Sequence, residues 1–206
     1  MIRVWDPLVR VFHWSLVAAF ALAWLTGEDS LGLHEWAGYG AAALIALRVV
    51  WGFFGTRYAR FTQFVRGPGT LRAYLGDMLH NREARYLGHN PAGAVMVLAI
   101  LVTMSGTAYT GWLMEDAARL ATGPALSQIV APAHADDDGD AGEGRGGTGG
   151  GESVLKDIHA ALANLMLVLV VLHVGGVALA SVRHRENLIR AMITGDKRPP
   201  ASEDIA

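Results

Sequence analysis

The sequence contains no cysteine among its 206 residues. That excludes disulfides, thiolate-held iron–sulfur clusters and thiol chemistry. It also excludes a covalently attached c-type haem, which needs a C-x-x-C-H site. Charge is scarce too, at 17% of residues against 52% hydrophobic, and the mean hydropathy is positive. Such a balance is unusual for a soluble domain and ordinary for a small membrane protein. No nucleic-acid partner is expected. Apolar runs alternate with charged ones, and the natural count is one bundle domain over residues 1–198.

A bilayer core of roughly 30 Å takes about 20 mostly apolar residues as helix. Four stretches qualify, at about 8–25, 35–54, 92–114 and 155–182. The expected fold is therefore all-α and integral to the membrane, a bundle of four transmembrane helices. The first run lacks the form of a signal peptide. Trp5, Asp6, Pro7 and His13 interrupt the charged-then-apolar pattern, and no clean small-residue cleavage site follows. It is read as a retained first span.

Flanking charge sets the orientation. The N-terminus, the second loop, Arg48 and the C-terminal tail hold 14 of the 17 Lys and Arg; only Arg119, Arg145 and Lys156 fall on the other side. The positive-inside rule then puts both termini in the cytoplasm, with the inner membrane of a bacterium as the expected location. The third loop turns acidic and glycine-rich over 132–151, with Asp136, Asp137, Asp138, Asp140 and Glu143. It offers almost nothing apolar to bury, so disorder is expected there. Two roles remain open for it: a solvated periplasmic linker, or an acidic docking surface for a basic partner. Residues 69–80 and 185–194 read as short interfacial helices, and 199–206 as a flexible tail.

Ionisable residues inside spans are costly and mark function by default. Of eight histidines, His80, His89, His134 and His184 sit in loops or tails, where solvent or headgroup contact is the expectation. His13, His34, His159 and His173 lie in spans or at their edges. His159 and His173 are 14 residues apart, which places them on one face of the fourth helix, about 21 Å apart along its axis. The topology gives each a partner at its own depth: His13 for His173 near the cytoplasm, His34 for His159 near the periplasm. Two facing imidazoles satisfy the axial positions of a haem iron, and the porphyrin supplies the other four nitrogens. Zinc would want about four protein ligands at one depth. The bland alternative is that these histidines are hydrogen-bonded packing residues. Gly38, Gly106, Gly111, Gly175 and Gly176 near the ligands suit either a flat macrocycle or plain close helix packing. Arg48 likewise has two readings: it snorkels to headgroups, or it pairs with a haem propionate.

Several segments carry a family resemblance. They are VFHWSLVAAFALAW at 11–24, LHEWAGY at 33–39, LRVVWGFFGTRYARFTQF at 47–64, LGHNPAGAVMVLAIL at 87–101, TGWLM at 110–114, DIHAALANLMLVLVVLHVGGV at 157–177 and ENLIRAMITGDKR at 186–198. Together they resemble the bacterial cytochrome b-561 and nickel-hydrogenase cytochrome b group over nearly the whole chain. Only the acidic loop departs from the shared pattern. The resemblance implies two b haems, with His13, His34, His159 and His173 as axial ligands. It implies electron exchange with the quinone pool and with a periplasmic redox partner, a cytochrome c or a hydrogenase-like protein. The expected function is electron transfer in a respiratory chain.

Two alternatives are set beside it. Relatives of this shape include membrane superoxide:quinone oxidoreductases. An anionic substrate would want a basic funnel, whereas the periplasmic side carries 12 carboxylates against three cations. A non-redox membrane anchor or metal transporter would use the same four histidines for conduction or packing.

Overall fold

The computed structural model describes residues 1–27, 31–115 and 149–205. The chain forms β1 (Ile2–Arg3), α1 (Pro7–Thr26), α2 (Leu31–Phe54), a 3-10 turn (Arg57–Ala59), α3 (Phe61–Phe64), α4 (Pro68–Leu79), α5 (Pro91–Glu115), α6 (Gly149–Arg183), α7 (Leu188–Thr194) and β2 (Asp196–Lys197). Four of these, α1, α2, α5 and α6, are long and apolar enough to cross a bilayer. The protein is thus an integral membrane helical bundle. Only 6% of the most apolar window of α6 is buried within the chain. Large apolar side chains such as Trp36, Phe54, Val102, Val171 and Val182 face outward, as lipid-facing positions do.

Local chemistry explains where the helices begin. Asp6 caps α1, its carboxylate accepting from Val9 N (2.8 Å), and Pro7 opens the first turn with its preset φ. Asn90 does the same for α5, accepting from Gly93 N (2.7 Å) ahead of Pro91. Asn187 caps α7 through Arg190 N (2.8 Å). That helix ends on Gly195 at φ 89°, a left-handed conformation that costs glycine little. Each spanning helix is longer than the apolar run expected for it. α6 starts at Gly149, so residues 149–151 of the stretch expected to be disordered are helical. The rest of that stretch, 132–148, lies outside the described residues.

α1 packs on α2, α2 on α5, and α5 on α6. Ala41, Ile45, Leu101, Met104 and Met166 form the core between them, with Leu16, Phe20, Val97 and Val170 around it. By contrast α6 makes few close backbone approaches to α1 or α2. Those are the helices whose histidines face it.

Both termini meet at one end of the bundle. β1 pairs antiparallel with β2, Ile2 opposite Lys197 and Arg3 opposite Asp196. A second small core of Val4, Trp5, Val9, Ala59 and Ala191 lies beneath them. The segment expected to be a flexible tail is instead docked over residues 199–205. Ile205 N donates to Arg85 O (2.9 Å), Leu87 N donates to Ile205 O (3.0 Å), and Asp204 pairs with Arg85. Backbone hydrogen bonds and an ion pair to a segment far away in the chain hold it there. The short helices expected at 69–80 and 185–194 occur as α4 and α7.

Candidate functional site

The bundle interior brings the four singled-out histidines together in two couples. His13 on α1 faces His173 on α6, ring centroids 6.2 Å apart. His34 on α2 faces His159 on α6, ring centroids 6.0 Å apart. A metal–imidazole nitrogen bond is about 2.0 Å long and the ring centre lies about 1.1 Å beyond, so two imidazoles on opposite sides of one ion have centroids about 6.2 Å apart. Both couples match that spacing. Among the described residues no group of three or more His, Cys, Asp or Glu gathers as a metal site. A metal held by either couple needs its remaining ligands from a cofactor, as a porphyrin provides.

The couple at the end remote from the termini is oriented by its surroundings. His34 Nδ1 lies 2.8 Å from Ala23 O, so it carries the proton and donates. His159 Nδ1 lies 3.0 Å from Thr110 Oγ1. The Thr110 hydroxyl has Gly106 O and Thr107 O, each at 3.0 Å, to receive its own proton. Its oxygen is therefore left to accept from His159 Nδ1–H. In both rings the Nε2 lone pair stays free, the arrangement typical of metal-ligating histidine. Gly111 makes room for His159: a Cβ there would stand 3.2 Å from the ring carbon Cε1. Gly38, four residues after His34, and Gly176, three after His173, share the faces of those ligands. A Cβ at either position would meet nothing within 4 Å.

The couple near the termini sits in a different setting. His13 Nδ1 is buried and without a hydrogen-bond partner. Arg48 is 9% exposed, and its guanidinium lies over the Phe61 ring at 5.2 Å. His89 departs from expectation. It is only partly exposed. Its ring sits between Trp5 (4.8 Å) and Phe64 (4.6 Å), and its Nδ1 is buried and unpartnered. Burial first, then the charges of Arg48 and Lys197, push its pKa down to about 3, so the ring is neutral. Sequence reasoning missed His89 because its neighbours come from the N-terminus and α3, both far away in the chain. Of the other loop histidines, His80 Nδ1 bonds Gly76 O (2.8 Å) at the surface. His184 is half-buried, its pKa lowered mainly by burial. His134 lies outside the described residues.

An all-helical membrane bundle whose interior presents facing imidazoles is the frame of a membrane haem protein. The sequence model of the prokaryotic cytochrome b561 family matches residues 4–195. The chain belongs to that family; it is a b-type cytochrome of membrane electron transfer and binds haem b. A search of curated proteins and of solved structures finds no match to it.

Proposed function

We propose that the chain is a two-haem cytochrome. It carries electrons across a bacterial inner membrane, between quinone in the bilayer and a redox protein on the periplasmic side. The observation that carries this reading is the presence of two imidazole couples, each at axial-ligand spacing, about 21 Å apart along α6. Haem b supplies one-electron exchange at iron when bound. The chain's residues hold, orient and insulate it. His34 with His159 would supply two imidazoles to one haem, and His13 with His173 two to the other. No open coordination site then remains, which suits electron transfer over oxygen chemistry. Ala23 O and Thr110 fix the ring planes at one site, so little reorganises when charge changes.

The positive-inside rule supports an orientation with both termini in the cytoplasm, since 14 of the 17 Lys and Arg lie on that side. His13 and His173 then belong to the cytoplasmic haem, His34 and His159 to the periplasmic one. Family likeness supports quinone as the bilayer reactant. The opposite, acidic side suits a basic soluble partner such as a cytochrome c, with residues 132–151 as its docking charge. A hydrogenase-like protein is the other partner class that fits.

Purified protein is expected to show a reduced-minus-oxidised b-type spectrum and two haems per chain by pyridine haemochrome assay. A count of one, or a colourless protein, overturns the reading. A finer check is Gly111→Ala. The added methyl presses on His159, and overpacking of this kind costs about 1–3 kcal/mol. Haem retained through purification should fall toward one per chain, with the His13–His173 site kept.

A further inference from the structure

Five buried side-chain nitrogen or oxygen atoms have no hydrogen-bond partner among the described residues: Arg10 Nε, His13 Nδ1, Arg48 Nη1, Glu83 Oε2 and His89 Nδ1. Glu83 already pairs with Arg183 through its other oxygen (2.7 Å). The other four are all nitrogens, and all lie toward the end of the bundle that holds the termini and the His13–His173 couple. Buried donors without partners are rare and costly. Four together call for an acceptor, and a buried arginine calls for an anion.

Among the described residues no free carboxylate is in place to serve as that anion. Asp6 is the carboxylate whose charge reaches Arg48, but its oxygens are committed to Val9 N, Trp51 Nε1 and Thr56 Oγ1. Among the described residues Arg48 has no ion-pair partner, and its buried Nη1 has no hydrogen-bond partner. Its side chain is fixed all the same. Phe61 lies under the guanidinium, Phe61 meets Phe64 edge-on at 5.7 Å, and Phe64 meets His89 at 4.6 Å. Arg48 and His89 are thus mounted on one aromatic strip. The strip itself depends on Gly52, where a Cβ would fall 2.1 Å from the Phe61 ring.

We propose that Arg48 and His89 form a clamp for carboxylate, and that it grips the propionates of the haem held by His13 and His173. The inference rests on the two-haem reading above. Arg48 provides the charge through Nη1, and His89 provides a neutral N–H from Nδ1, the two kinds of donor a desolvated carboxylate takes.

The test is a spectroelectrochemical titration of the full chain in detergent, comparing it with Arg48→Gln, Arg48→Lys and His89→Leu. A cation beside a propionate favours the reduced haem. Arg48→Gln should therefore shift the equilibrium of one couple about tenfold toward the oxidised form, about 59 mV for one electron. Arg48→Lys should restore most of it. His89→Leu should move the same couple in the same direction by less. Loss of that couple in His13→Ala assigns it to the correct site, and the second couple should stay in place throughout. Haem loss in Arg48→Gln with retention in Arg48→Lys also supports the clamp. Both couples moving alike, or neither moving in chains that keep two haems, overturns it. So does loss in both Arg48 variants with His89→Leu unshifted. An unmodified chain with fewer than two haems overturns the two-haem reading instead, before any variant is compared.

Discussion

Alanine at His34 or at His159 is expected to cut the haem content of the purified chain from two to one, and alanine at His13 or His173 to do the same for the other haem. On the two-haem reading each haem would be held by one histidine couple and by packing, with no thioether attachment, since the chain has no cysteine. Losing one imidazole of a couple would remove half of the protein's ligand set for that haem. The decisive comparison is between double variants. His34→Ala with His159→Ala touches one site twice and should still leave one haem, because groups acting as a unit are not additive. His34→Ala with His173→Ala touches two sites and should leave none. The crossed pairs, His13 with His159 and His34 with His173, would have to reach across about 21 Å. A pyridine haemochrome count on the four single and two double variants settles the pairing. One remaining haem in the His34–His173 double variant would sink it.

The parts of this molecule that were legible in the sequence are those governed by local, one-dimensional rules. Apolar runs of sufficient length located α1, α2, α5 and α6 to within a few residues, because the bilayer imposes length on composition. Helical periodicity put His159 and His173 on one face, and in the structure each meets its expected neighbour, at 6.0 Å and 6.2 Å. What escaped depends on contacts between distant segments. Nothing local marks Ile2 and Arg3 as a strand, since their partners are Lys197 and Asp196. His89 looked like a loop residue, and its enclosure is built by Trp5 and Phe64. The C-terminal residues looked flexible by composition. Their order comes from Arg85, more than a hundred positions earlier. The hydrogen-bond partners of the facing histidines were equally hidden: Thr110 is an ordinary span residue until His159 Nδ1 is found 3.0 Å from its hydroxyl.

That C-terminal order leads to the second large effect, a loss of stability in Arg85→Ala. Arg85 is only 4% exposed at its side chain and pairs with Glu186 (2.7 Å; 9% exposed) and with Asp204 (7% exposed). It also donates to Arg198 O at 3.0 Å. One guanidinium thus ties the α4–α5 connection to the end of α6 and to the tail. Removing it strands two carboxylates in a nearly closed site. Such a loss costs about 3–5 kcal/mol for a buried pair, and the lower figure, about 3 kcal/mol, fits here. The group lies at the water-facing end of the bundle, and Glu186 keeps Lys197 at 3.7 Å. The sign of the pH effect follows from the same contacts. Burial raises the Glu186 and Asp204 pKa values, but hydrogen bonds and the nearby cations outweigh it and hold both below the usual carboxylate range. Depressed carboxylate pKa values give stability that is present above the unfolded value, about 4, and is lost as pH falls through the folded one. The unmodified chain should therefore weaken on acidification, whereas the variant has already lost this contribution at neutral pH. Thermal unfolding in detergent should show a gap that is widest at pH 7 and narrows below about pH 4. Adding Asp204→Asn to the variant removes one stranded charge and should recover part of the loss at neutral pH. An unchanged unfolding temperature in Arg85→Ala would mean that the tail contributes nothing to holding the helices together.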